Sequence, residues 1–305
     1  MNIASIDIGT NTILLLIAEV DSSGINNILE DQQVIARLGK GVDAERNILP
    51  ETFHRVKDFL MEYKSLCLRY NVEKILAVGT SALRDARNAK EFCSFIKKET
   101  ELNIEILSGD DEALWTFRGS IPYTTSSSEL FSVVDIGGGS TEISIGTSQS
   151  ISSAVSINIG SVRLTERFFY ESPPEDEAIM EAWQFILEQL RQKDLSILKQ
   201  TTVLGVAGTI TTLAAVDLDI PEFNREKIEG YTLSADAVRK IFSELKNKSY
   251  EQILRYPQIP PGRADVILAG IMIVMGIMEV AAIPSITVSV KGLRYGIMLR
   301  ELEKR

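Results

Sequence analysis

The sequence predicts an α/β protein in which one lobe occurs twice, each lobe a mixed sheet flanked by helices, with a cleft between the two. Three observations predict it. "IASIDIGTNTILLLIAEV" and "LFSVVDIGGGSTEISIGT" share an order of apolar strand, Asp-Ile-Gly, a turn of small polar residues and a second apolar strand, placing Asp7 and Asp135 128 positions apart. "KILAVGTSALRDARNAKEF" and "TVLGVAGTITTLAAV" both run from a strand through Gly-Thr into a helix, and their Gly79 and Gly208 lie 129 apart. Two matches at nearly one offset mark a duplication. In both halves, moreover, strands alternate with helices, the pattern of sheets covered by packed helices.

The elements follow in order. Residues 2 to 20 read as two strands joined at "GTNT", because apolar runs flank a glycine turn. "ETFHRVKDFLMEYKSL" is a polar helical stretch holding the single histidine, His54. Residues 74 to 79 form a strand, followed by Gly79-Thr80-Ser81 and an amphipathic helix. "IEILSGDDEALWTFRGS" and "ITVSVKGLRYGIMLREL" each pass from a β-rich strand through a glycine turn into a helix. Their Gly109 and Gly292 are 183 apart, so the second copy is about 55 residues longer. That excess is assigned to 217–265, where "YPQIPPGRAD" reads as a proline-rich loop. The Ser/Thr/Pro-rich "SIPYTTSSSEL" suits a hinge, giving lobes 1–124 and 125–292, with the terminal helix 293–305 expected to rejoin the first lobe. "VILAGIMIVMGIM", bounded by Asp265 and Glu279, is too short to span a bilayer and reads as a buried helix.

Composition narrows the chemistry. A net charge of −10 argues against nonspecific binding to nucleic acid or an anionic membrane. One histidine excludes a multi-His zinc site and a His-Asp metal phosphohydrolase module. Cys67 and Cys93 show neither metal spacing nor a disulfide framework, which fits a reducing cytoplasm. The N-terminus lacks a basic leader and has Asp7 inside its apolar run, so a signal peptide is not expected. Chemistry therefore has to run on carboxylates, backbone amides and arginines, with or without a metal.

Glycine turns without Cβ atoms let consecutive N–H groups form an anion-binding concavity. Gly9, Thr10, Asn11 and Thr12 in the first turn, and Gly137, Gly138, Gly139, Ser140 and Thr141 in the second, are thus expected to bind phosphate. The alternative is a tight hairpin with a capping Asp. Asp7 and Asp135, beside these turns, suit a hard divalent cation held through water, or orientation of a nucleophilic water. Gly208 and Thr209 open a helix, where free N–H groups and the dipole favour an anion, although ordinary capping by Thr209 or Thr80 is the alternative. Arg84 and Arg87 lie in the first turns of the earlier helix and carry forks that grip phosphoryl oxygens. Asp110, Asp111 and Glu112 crowd another helix start; they either cap it or include a carboxylate that orients water for phosphoryl transfer. Arg163 and Arg167 flank a helix start. Lys291 and Arg294, in a glycine turn, are further phosphate candidates, and with Arg118 and Arg263 they suggest a basic strip suited to a polyanion.

The ordered string "DIGTNT", "GTSALRDA", "SGDDEA", "DIGGGSTE", "GSVRLTE", "AGTITTLAA" and "SVKGLRYG" resembles the exopolyphosphatase and guanosine pentaphosphate phosphohydrolase (Ppx/GppA) family over essentially the whole chain. The resemblance implies duplicated actin-like, ribonuclease-H-like domains. It also implies hydrolysis of the terminal phosphoanhydride of polyphosphate, or of pppGpp to ppGpp in the stringent response, with Mg²⁺ or another hard divalent cation such as Mn²⁺. By motif, Glu112 matches the catalytic glutamate, Asp135 and Glu142 the metal-associated acidic pair, and Arg84 the phosphate-binding arginine, with Asp7 a third metal candidate. The partners implied are polyphosphate or guanosine penta- or tetraphosphate, with no nucleic acid and no membrane, and a homodimer is compatible. The chain is similar to the short, two-lobe members. It departs from many of them in having Leu14 where a basic or imidazole residue follows the first turn, which removes one phosphate contact. Two other functions share the scaffold: a kinase or ATPase, which needs an adenine pocket, and a non-catalytic sensor that binds polyphosphate or ppGpp.

Overall fold

Apolar residues buried on both faces make "NIASIDI" and "TILLLIAEVD" into β1 (Asn2–Ile8) and β2 (Thr12–Asp21), paired antiparallel from Asn2↔Glu19 to Ile8↔Ile13. A computed structural model describes residues 1–122 and 128–304. It divides into two units, one comprising Met1–Gly119 and Gly292 to the C-terminus, the other Ser120–Lys291. The hinge expected at 124/125 falls within 123–127, outside the described residues.

In the first unit, β3 (Gly24–Ile35) pairs antiparallel with β2, while β4 (Lys74–Gly79) and β5 (Ile104–Ile106) add in parallel beside β1. The order is β3-β2-β1-β4-β5. In the second unit β6 (Phe131–Ile136), β7 (Thr141–Gly146), β8 (Ile151–Ile157), β9 (Thr202–Val206) and β11 (Ser285–Val288) repeat it as β8-β7-β6-β9-β11. This is the ribonuclease-H-like arrangement of the actin-like fold, present twice. The additional length of the second copy contributes β10 (Thr232–Ser234), antiparallel to β11 at the sheet edge, and the helix Ala235–Leu245. Part of the stretch expected as a proline-rich loop is a helical turn, Pro261–Ala264. Pro261 suits its first position, where a backbone N–H has no intrahelical partner to lose.

Helices Pro50–Arg69 and Ala89–Thr100 cover one face of the first sheet through Val56, Leu60, Phe92 and Ile96, all fully buried. His54 lies on the outer side of the former, its ring edge-on to Phe95 at 5.3 Å. The other face is covered by the C-terminal helix Leu293–Leu302, whose Tyr295 and Met298 pack on Ile3, Leu16 and Val20. Ion pairs Lys74–Glu301 (2.7 Å) and Arg300–Glu105 (2.6 Å) bind its far end to β4 and β5. The same helix crosses Gly109–Ser120 in backbone contact: a Cβ on Gly296 would sit 1.7 Å from the Trp115 carbonyl oxygen. In the second unit the apolar stretch forms the buried helix Ile267–Val280, packed against Asp176–Arg191 and Ala235–Leu245. Among the described residues no helix is long and apolar enough to cross a membrane.

Candidate active site

The strand-to-helix connections of the first unit bring Arg84 and Glu112 together. β4 ends at Gly79 and turns directly into the helix Ser81–Asp85, which carries Arg84; β5 leads into Gly109–Ser120, which carries Glu112. Arg84 Nη1 donates to Glu112 Oε2 at 2.5 Å and to the Leu107 carbonyl at 3.2 Å. The acidic triplet is thereby sorted. The Asp111 amide donates to Ser108 Oγ, whose hydroxyl donates back to Asp111 Oδ2, so that carboxylate belongs to the helix cap. Asp110 and Asp111 are exposed, whereas Glu112 is only 7% exposed. Burial pushes the Glu112 carboxyl above its ordinary value, and the Arg84 guanidinium pulls it the other way. A buried carboxylate held by one arginine is a poised proton acceptor.

The first glycine turn lies in the same unit, after Asp7. The Gly9 amide closes it on the Thr12 carbonyl at 3.0 Å, and the amides of Arg37 and Gly39 hold the Asn11 and Thr10 carbonyls at 2.9 and 2.8 Å. Thr10 and Asn11 are buried. Asp7 is opposite Leu14 in the β1–β2 register, with Oδ1 sealed from solvent.

The second unit holds the other turn and the acidic row. Asp135 and Glu142 are direct cross-strand partners in β6 and β7, and Glu142 is in register with Ser156 of β8. Ser156 Oγ donates to Glu142 Oε1 at 2.6 Å. The turn 137–140 closes through the Gly137 amide on the Ser140 carbonyl at 3.0 Å. Thr141, fully buried, donates its hydroxyl to the Ile159 carbonyl at 2.7 Å, so it braces the turn from within. Among the described residues no three His, Cys, Asp or Glu side chains gather as a metal cluster. Two carboxylates with a neighbouring hydroxyl nevertheless fit Mg²⁺ or Mn²⁺, hard ions that take one or two carboxylates and complete their shell with water and phosphate oxygens.

Gly208 and Thr209 open the helix Ala207–Asp217 after β9. Buried Arg263 lies against this first turn, its Nη2 2.3 Å from where a Gly208 Cβ would be, and Nη1 donates to Thr212 Oγ1 at 2.8 Å. Burial lowers its guanidinium to about 10, which leaves it charged at neutral pH. Lys291 is half-buried at the end of the second unit, its amide donating to Ser289 Oγ. Arg294 takes a different place from the one expected: buried in the first unit, it pairs with Asp31 and donates to the Leu15 carbonyl. That engagement ties the C-terminal helix to the sheet, so its phosphate assignment is not carried forward. Arg167 stacks over Phe185 at 4.7 Å, in keeping with a surface role.

Residues 16–305 match the model of the Ppx/GppA phosphatase family. The chain is 33% identical to exopolyphosphatase 2 of Mycobacterium tuberculosis over 311 residues, covering 97% of each protein. It is 32% identical to a bifunctional 3-dehydroquinate synthase/phosphatase of Fusobacterium nucleatum, of which it spans 47%. A crystal structure of the Aquifex aeolicus Ppx/GppA family member superposes with a TM-score of 0.81 at 33% identity, covering 100% of this chain and 98% of that one.

Proposed function

The chain belongs to the Ppx/GppA phosphatase family, and from that premise we propose that it hydrolyses terminal phosphoanhydride bonds, releasing phosphate from polyphosphate or converting pppGpp to ppGpp. The observation that carries this reading is the pairing of buried Glu112 with Arg84 where the helices after β4 and β5 begin.

Arg84 is the residue to grip the terminal phosphoryl oxygens, because its fork donates to two at once. Glu112 then orients a water. As the water oxygen bonds to the terminal phosphorus, the bridging P–O bond breaks, its oxygen and electron pair leaving on the shortened chain, and Glu112 accepts the water's proton late, as a loose transition state allows. The amides of the turns at 9–12 and 137–141 stabilise phosphoryl oxygens in each unit. Asp135 and Glu142 would hold Mg²⁺ or Mn²⁺, with Asp7 as a candidate in the first unit; a bound ion would neutralise phosphate charge. A cytoplasmic setting, and a part in the stringent response where pppGpp is the substrate, belong to the same reading; the free thiols Cys67 and Cys93 are in keeping with it.

The deciding experiment measures phosphate released from tripolyphosphate, long-chain polyphosphate, pppGpp and ATP, with Mg²⁺ and with a chelator. Metal-dependent release from polyphosphate or pppGpp is expected. Tight binding by calorimetry with no release under any metal would instead make the protein a sensor.

A further inference from the structure

We propose that Arg163 is the positioning residue of the second glycine turn, fixing the Gly139 carbonyl so that the turn's amides present themselves to an oxyanion; this rests on the phosphate-binding reading of that turn. Behind the turn lies the first turn of the helix Ser161–Phe168. The Ser161 amide donates to the Gly137 carbonyl at 3.0 Å, and the Val162 and Arg163 amides donate to the Gly138 carbonyl at 2.8 and 3.0 Å. The third carbonyl, of Gly139, receives Arg163 Nε at 2.7 Å. Gly160 lets the helix come this close, since a Cβ there would meet the Gly138 oxygen at 2.4 Å.

A trans peptide points its C=O and N–H in opposite directions. Holding the carbonyls of Gly137, Gly138 and Gly139 against the helix therefore turns the N–H groups of Gly138, Gly139 and Ser140 to the other side. The amides of Gly138 and Gly139 donate to nothing among the described residues. The helix start is thus filled by the protein's own carbonyls, and the anion-binding face is the turn itself. Arg163 adds charge: its bond to the Gly139 oxygen polarises the very peptide whose N–H belongs to Ser140, strengthening that donor. The turn of the first unit is held by two backbone amides, those of Arg37 and Gly39.

The test compares wild type, Arg163→Gln and Arg163→Lys in phosphate release from polyphosphate, with tripolyphosphate affinity by calorimetry and urea unfolding measured alongside. Arg163→Gln is expected to raise KM and Kd by about ten- to a hundredfold, the scale of one charge-assisted bond. Its kcat should stay within about threefold, because ground and transition states use the turn alike. Arg163→Lys, which keeps the charge and a donor, should recover part of that affinity. A folded Arg163→Gln protein with wild-type KM overturns the proposal, and so does a loss confined to kcat. Should Arg163→Gln not fold, Arg163→Lys decides: a KM raised about threefold or more supports the proposal and an unchanged KM overturns it. Wild-type protein that releases no phosphate from polyphosphate or pppGpp counts against the hydrolase reading instead.

Discussion

Replacing Glu112 by Gln exchanges one carboxylate oxygen for an amide nitrogen at almost constant volume. The side chain is 7% exposed and its partner is Arg84 Nη1 at 2.5 Å. Two stability effects oppose each other. The charge-assisted bond to Arg84, about 1.5–3 kcal/mol, weakens because an amide oxygen is a poorer acceptor. Against that, a buried carboxylate carries a desolvation penalty of several kcal/mol, which the neutral amide escapes. The net change should be within about 2 kcal/mol, and the variant should fold. Catalysis has no such compensation. Loss of the proton acceptor should lower kcat by roughly 10²–10⁴-fold, or about 2.7–5.5 kcal/mol. KM should not rise, because the change removes a negative charge from an anion-binding region. Phosphate-release kinetics with urea unfolding measure all three quantities. Glu112→Asp, which withdraws the carboxylate by about 1.5 Å, should lose about 10²-fold through misplacement alone. A folded Glu112→Gln enzyme turning over within tenfold of wild type would refute the assignment of Glu112 as the base.

Other consequences can be checked separately. Since burial raises the Glu112 carboxyl, the acid limb of kcat should lie above the ordinary glutamate range, with activity lost as pH falls through it. The folded state holds that proton longer than the unfolded one, so the associated stability is fully present below the unfolded value and disappears as pH rises through the folded one. Arg84→Gln removes the opposing cation and should move the acid limb further up; a limb that stays in place or moves down would contradict the pairing. Asp135→Asn and Glu142→Gln should each raise the Mg²⁺ concentration for half-maximal phosphate release and weaken Mn²⁺ binding read by electron paramagnetic resonance, with Ser156→Ala doing so more weakly. Unchanged metal midpoints would remove the ion from that row. Gly296→Ala places a methyl 1.7 Å from the Trp115 carbonyl oxygen, a backbone obstacle. It should destabilise by about 3 kcal/mol or more, at or beyond the usual range for overpacking, in urea unfolding; a wild-type midpoint would show that the two helices can separate freely.

The duplication and the mixed sheets flanked by helices were legible because hairpin and strand-to-helix signals recur at one offset; the order of strands within each sheet comes from the structure. β10 was not, since "TLS" is three residues long and pairs with Ser285–Thr287, more than fifty positions away. The acidic triplet shows the same limit at the site. Asp110, Asp111 and Glu112 all read as first-turn carboxylates, and the choice depends on Ser108 taking Asp111 while helix rotation turns Glu112 inward to Arg84. Asp135 and Glu142 were placed by family motif, and the antiparallel register of β6 and β7 sets them directly opposite each other. Arg294 read as a phosphate ligand because its glycine turn looked open. Its acceptor, Asp31, lies 263 positions earlier and had no local signal.

The duplication also explains why the halves can carry different chemistry on one frame. Each repeats a hairpin turn whose carbonyls are held from behind by residues following the third strand, Arg37 and Gly39 in one unit and Ser161–Arg163 in the other. Backbone amides supply all of that support in the first unit, whereas in the second the Arg163 side chain adds a bond to the Gly139 carbonyl. The first copy places its arginine, Arg84, inside the helix after β4 and faces it with Glu112. At the corresponding depth in the helix after β9 the second copy has Leu213, which is fully buried. An arginine reaches that helix start from elsewhere: Arg263, from the added segment, lies against Gly208. The longer second copy thus restores a cation that its own repeat lacks, by a route that local sequence comparison of the two halves does not reveal.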